Sequence, residues 1–176
     1  MSPRDVSISF FQNYPLILPY RDAYGEIIAL VGRTLLSEQD RNAQDIPKYK
    51  NTFFKKGNVV FGLHENKKAI LEEDCVYLVE GQFDVIKAVE SGLRNIVALG
   101  NAYMTPYQFS VISRYTNNIV LLLDNDDAGE RGRKRALDNF GKLANIENCR
   151  LPSDCKDIDE YFSKNDIGAW KEFRNN

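Results

Sequence analysis

The stretch Val76 to Asp84, VYLVEGQFD, constrains this chain more than any other, because an apolar strand-like run hands over directly to a glutamate, a glycine and an aspartate. A second apolar run, Ile119 to Leu123, ends in Asp124-Asn125-Asp126-Asp127-Ala128-Gly129. Buried strands that release carboxylates at their C-terminal ends are what an open parallel sheet needs to assemble a divalent-metal site from separate parts of a chain. Lys156-Asp157-Ile158-Asp159-Glu160 adds a third acidic step.

From Glu65 onward helical and strand patterns alternate. Helices are expected at about 65–73, 82–91, 105–115 and 127–143, with two more near 157–163 and 166–173; strands are expected at 75–79, 95–98, 118–123 and near 148–151. Alternation of this kind predicts βα units and an α/β fold with a mostly parallel sheet covered by helices on both faces. Thr105-Pro106 reads as an N-cap followed by proline at the first helical position. Residues 1–63 differ: short extended runs are broken by turn signals such as Asp22-Ala23-Tyr24-Gly25, and Glu38 to Tyr49 is polar without a clear period. We expect a small β-rich subdomain over 1–63, the α/β domain over 64–165 and a C-terminal helix over 166–176.

A chain of 176 residues that is 43% hydrophobic can bury a real core. The net charge of -2 neither predicts nor excludes nucleic-acid binding, since placement matters more than the sum. Positive charge is segregated: Lys48, Lys50, Lys55, Lys56, Lys67 and Lys68 face Glu65 alone between Lys48 and Lys68, and Arg131, Arg133, Lys134 and Arg135 follow the acidic turn. Cys75, Cys149 and Cys155 are odd in number and lack CxxC spacing, which argues against a disulfide framework or structural zinc and fits a reduced, cytoplasmic setting. No apolar run approaches the roughly 18 residues of a membrane span, and no signal-peptide pattern opens the chain.

Glu80 lies just past its strand, Gly81 leaves room for close backbone approach, and Asp84 follows one helical turn later. Asp124 ends its strand, and Asp126 can turn back to the same rim. Each alone could simply cap a helix and complement its dipole; three acidic steps at three strand ends are harder to dismiss. Oxygen-only ligands favour Mg²⁺ or Mn²⁺ over zinc, since His64 is the only histidine and no cysteine ligand set is indicated. Such ions fill their shells with water and phosphate oxygens, so the substrate implied is a phosphate ester. Both phosphoryl transfer and hydrolysis are chemically open. Among other residues, Arg131 is a candidate for facing phosphate, whereas Arg133, Lys134 and Arg135 are expected on solvent. His64 is expected at the surface or in packing, Tyr103 and Tyr107 in the core, Cys75 as a small buried hydrophobe, and Trp170 with Phe173 docking the last helix.

Glu80-Gly81-Gln82-Phe83-Asp84, Leu99-Gly100, Leu123 to Gly129 and Asp157-Ile158-Asp159 resemble the signature of a Toprim domain, and within that superfamily the catalytic core of a bacterial DnaG-type primase. Tyr20-Arg21-Asp22, Gly25, Gly32-Arg33, Lys48-Tyr49-Lys50-Asn51, Phe54-Lys55-Lys56-Gly57 and Leu63 run in the order of the segment that precedes Toprim in those primases. The resemblance extends from about Pro15 to about Phe162. It implies that Glu80, Asp84, Asp124, Asp126, Asp157 and Asp159 hold catalytic divalent metals, with Glu80, Asp124 and Asp126 at the chemistry. It also implies that Arg33 and Lys48, with Lys55 and Lys56 nearby, lie on the track of template or nucleotide. Lysine and arginine there would neutralise phosphates and make binding fall with salt.

Asn125 stands where a glycine is usual, and Ile158 replaces a common proline. The zinc-ribbon and helicase-binding parts of such primases lie outside the matched segment, so the chain reads as a minimal relative or a fragment of something longer. The first reading is metal-dependent synthesis of RNA primers from ribonucleoside triphosphates on single-stranded DNA, with a replicative helicase or a separate zinc-binding, initiating domain as further partners. A Toprim nuclease using the same carboxylates and a non-catalytic replication accessory module are the alternatives. The segment before Glu80 favours polymerisation.

Overall fold

Strand residues in the second half of the chain divide by parity, and that division fixes the layers. Tyr77 and Val79, Ile96 and Ala98, and Val120 and Leu122 join one core cluster with Val85, Ala88, Ile158, Tyr161, Phe162 and Trp170. Their neighbours Val76, Leu78, Val97, Ile119, Leu121 and Leu123 are buried too but lie outside that cluster, on the opposite face with the buried residues of other helices, Ile70, Val111, Ile112, Ala136 and Phe140. A strand alternates faces at every residue, so apolar residues at both parities mean a sheet covered on both sides. Burial of each large aliphatic side chain contributes about 1.5–3 kcal/mol, which makes the two layers the main source of stability.

The protein was analysed as a computed structural model that describes residue 3 and residues 6–175. It divides into two compact units, Met1–Lys55 and Lys56–Asn176. In the first, β1 (Leu16–Arg21), β2 (Ile27–Arg33) and β3 (Tyr49–Asn51) form an antiparallel sheet in the order β1-β2-β3. Asp22 Oδ1 accepts hydrogen bonds from the backbone N–H of Tyr24 (2.9 Å) and Glu26 (3.0 Å), and Gly25 takes a φ of +98°, a left-handed conformation that glycine enters without penalty. The turn between β1 and β2 is therefore built as its residues suggest. Between β2 and β3 the chain forms α1 (Glu38–Ala43), where the sequence shows no period. None of its residues is buried, so there is no apolar stripe to read. What starts it is Ser37, whose Oγ accepts from Asp40 N at 3.1 Å.

In the second unit β4 (Val76–Val79), β5 (Ile96–Ala98), β6 (Asn118–Leu121) and β7 (Asn145–Asn148) are parallel, in the order β5-β4-β6-β7. Helices α2 (Leu63–Glu73), α3 (Gln82–Glu90), α4 (Pro106–Ile112), α5 (Asp127–Phe140), α6 (Ile158–Lys164) and α7 (Ile167–Asn175) cover them. β7 lies three residues earlier than expected. It is an edge strand whose only half-buried residue is Ile146, while Cys149 and Leu151, the apolar pair behind the expectation, enter the core just past its end. Phe61 pairs with Ala98 in an antiparallel bridge, so the segment after Lys56 belongs to the second unit. Thr105 caps α4 as its sequence suggests, with Gln108 completing a capping box. Tyr107 is a correction: at 51% exposed it is not a core residue, because it occupies the outer face of α4.

Candidate active site

The chain leaves β4 for β5 on one side, then crosses to β6 on the other. Neighbouring loops diverge where strand order reverses, leaving a crevice at the carboxyl ends of β4 and β6. Glu80 follows β4, and Asp124 lies three residues beyond the end of β6. Glu80 Oε1 accepts a hydrogen bond from Asp124 N at 3.2 Å, joining the two strand ends directly. Asp126 is the N-cap of α5, accepting from Gly129 N at 2.8 Å; Asp157 is the N-cap of α6, accepting from Glu160 N at 2.9 Å. Both thus perform the capping role that acidic residues at helix starts commonly have, while the charge of Asp126 acts on Glu80 and Asp124 and that of Asp157 on Asp84 and Asp124.

Asp84 is buried on α3. One of its oxygens accepts from Gly81 N at 3.1 Å and the other from Asp159 N at 3.3 Å, so it ties the start of α3 to the start of α6. Gly81 and Gly129 show why these turns carry glycine: a Cβ would lie 2.5 Å from Asp84 Oδ2 at the first and 2.1 Å from the Asp124 carbonyl at the second.

The electrostatics are those of crowded carboxylates. Burial, then the Asp157 and Asp124 charges, push Asp84 up to about 7. Burial and Asp124 raise Glu80; burial and Asp157 raise Asp124, with Lys156 pulling the other way. Like charges drawn together in a partly desolvated crevice disfavour ionisation until a cation joins them. Among the described residues no three histidine, cysteine, aspartate or glutamate side chains converge as a ready-made metal cage. The donor set fits Mg²⁺ or Mn²⁺ used the open way, with few protein oxygens and the remainder from water and phosphate.

Two residues whose roles the sequence did not reveal hold this site. Asn125 Nδ2 donates to the carbonyls of Leu151 (3.3 Å) and Cys155 (3.0 Å), and Asn125 N donates to Lys156 O at 3.0 Å. The residue in the usual glycine position therefore anchors the loop that carries Asp157. Arg133 is a correction: expected on solvent, it is 1% exposed, donating to the carbonyls of Leu123 and of Asp124, the latter at 3.2 Å. Basic runs on a helix place every third or fourth residue on the buried face, and Gly129 marks that face four residues earlier.

Arg131 is exposed near Tyr103, over whose ring Arg135 lies at 5.2 Å. In the first unit Arg33 donates to the Tyr49 hydroxyl at 3.4 Å, and Lys48 lies 5.8 Å from the centre of the same ring. Lys55 and Lys56 are exposed, Lys55 ending the first unit and Lys56 opening the second.

The family described as Toprim-like matches residues 77–162. The crystal structure of the zinc-binding and RNA polymerase domains of Aquifex aeolicus primase matches with a TM-score of 0.81 at 32% identity, over 99% of this chain and 43% of that one. This chain is a Toprim-domain protein that resembles the DnaG primase core. The DNA primase of Aquifex aeolicus (strain VF5) is 36% identical over 126 residues, 69% of this chain and 24% of that primase. A DnaG primase catalytic domain bound to single-stranded DNA matches with a TM-score of 0.76 at 26% identity, over 90% of this chain and 50% of that one. The Toprim protein spans about a quarter of the length of the curated primases it matches. Among its described residues no helix is long and apolar enough to cross a membrane.

Proposed function

We propose that this protein is a primase-type nucleotidyltransferase core that synthesises RNA primers on single-stranded DNA in replication, using Mg²⁺ or Mn²⁺. The observation that carries this reading is the junction of Glu80 with Asp124 at the switch point of the sheet, with Asp126 capping the helix that follows. Glu80, Asp124 and Asp126 are the primary carboxylates in this reading; Asp84, Asp157 and Asp159 complete the acidic rim. When bound, the divalent ion supplies neutralisation of the triphosphate and polarisation of the attacking 3′-hydroxyl. The residues themselves hold the acidic rim in register through the Asp84 and Asn125 hydrogen bonds. Attack of the 3′-oxygen on the α-phosphate of a ribonucleoside triphosphate forms the phosphodiester, and pyrophosphate leaves.

Arg33 and Lys48 of the first unit, with Lys55, Lys56 and Arg131, are the side chains proposed to bind template or nucleotide phosphates. Replacing any one of them with a neutral residue should lower affinity without regard to sequence and reduce the salt slope by roughly one. The ribonucleoside triphosphates, a replicative helicase and a zinc-binding, initiating domain are partners proposed from the family, and the setting proposed is the cytoplasm. The test is incorporation of labelled ribonucleotides on single-stranded DNA with Mg²⁺ or Mn²⁺, wild type beside Asp124→Ala, with primer supplied in half the reactions. Metal-dependent extension that disappears in the variant is the expected outcome. Strand cleavage in the same tubes would instead assign a Toprim nuclease, and binding with neither reaction an accessory module.

A further inference from the structure

We infer that Arg133 is a positioning residue, whose guanidinium fixes the strand end on which Asp124 and Asp126 stand. The inference rests on reading those carboxylates as a divalent-ion site. Beyond Leu121 the sheet no longer supports this segment on both sides: Leu122 N still donates to Leu78 O, and Cys149 N to Leu121 O, but the carbonyls of Leu123 and Asp124 lie past the ladder. Buried carbonyls without donors are costly. Arg133 supplies both donors from the neighbouring helix, and Glu130 Oε2 approaches its Nη1 at 3.5 Å. Asp124 is then held from two sides, its N–H on Glu80 and its carbonyl on Arg133.

Arg133 is a poor choice if packing were the only need. Burying a guanidinium is expensive, one anion stands close, and Arg133 Nε has no hydrogen-bond partner among the described residues. Helix α5 also comes very close here, since Gly129 and Gly132 leave no space for a Cβ against the carbonyls of Asp124 and Ala102. An apolar residue of similar volume, such as methionine, would fill the position without a desolvated charge. What only the guanidinium fork supplies is a simultaneous hold on two successive carbonyls.

The test is a Mn²⁺ titration of the full chain followed by electron paramagnetic resonance, without nucleotide or template. Wild type is compared with Arg133→Met, Arg133→Lys and Arg150→Met, the last removing a second cation from the same depression of about 600 Å³. Deleting positive charge by itself tightens Mn²⁺ binding, so a weakening reports lost geometry. We expect Arg133→Met to weaken Mn²⁺ by roughly 10- to 100-fold, Arg133→Lys to fall between, and Arg150→Met to be unchanged or tighter. Circular dichroism establishes that each variant is folded; if Arg133→Met is not, Arg133→Lys decides, with weakened binding supporting the role and wild-type binding overturning it. Wild-type Mn²⁺ affinity in a folded but less stable Arg133→Met would make the residue merely structural and overturn the inference while leaving the proposed function intact. Failure of the wild type itself to bind Mn²⁺, both alone and with a ribonucleoside triphosphate added, would overturn both.

Discussion

Asp84 receives two backbone hydrogen bonds and is nevertheless pushed up to about 7, so burial and its acidic neighbours outweigh the donors. In the unfolded chain it titrates near the ordinary 3.8. Between those values the folded state binds more protons than the unfolded one, so in metal-free protein stability should fall as pH rises from about 4 to about 7, by on the order of a few kcal/mol. Urea denaturation across that range should show the loss, Asp84→Asn should flatten it, and added Mg²⁺ should reduce it near pH 7; an unchanged slope in the variant would contradict this account. Gly129 is the second pressure point. Gly129→Ala forces a methyl against the Asp124 carbonyl, and we expect it to destabilise by about 1–3 kcal/mol and to reduce Mn²⁺ binding as well, whereas Gly100→Ala, with open space around its Cβ, should carry only the strain of its positive φ.

At the level of elements, α4 shows how local chemistry and long-range pairing share one side chain. Gln108 is fully buried; its Oε1 accepts from Thr105 N, while its Nε2 donates to the carbonyls of Val59 and Leu99 at 2.8 Å each. Gln108→Ala would strip the capping box and orphan both carbonyls, and we expect a loss of about 2–4 kcal/mol by thermal or urea unfolding with the carboxylates untouched. The Thr105-Pro106 start was legible because capping is written in adjacent residues. So were the central strands β4, β5 and β6, whose apolar runs have no competing pattern. The short α1 was not, since a helix with no buried residue leaves no periodic trace. β7 was displaced because Cys149 and Leu151 point inward from a loop. The candidate carboxylates were legible as motifs, but Arg133 and Asn125 act through backbone carbonyls, and no residue spacing announces which carbonyls lack a partner.

For the molecule as a whole, the two compact units differ in size enough to differ in independence. A piece of 55 residues buries a small share of its surface and is marginal alone, whereas residues 56–176 carry two full layers about a parallel sheet. Expressed separately, residues 56–176 should fold cooperatively and retain Mn²⁺ binding, while residues 1–55 should show little cooperative melting; circular dichroism of the two pieces checks both. The larger unit also contains the chain's only tryptophan, Trp170, whose ring centre lies 5.5 Å from that of Tyr161 and 5.8 Å from that of Phe162 on α6, the helix that opens at Asp157. That placement gives the protein a native optical reporter: excited selectively, one indole follows the packing behind the acidic rim, so movement of α6 during ion or nucleotide binding can be timed by stopped-flow fluorescence without attaching a dye.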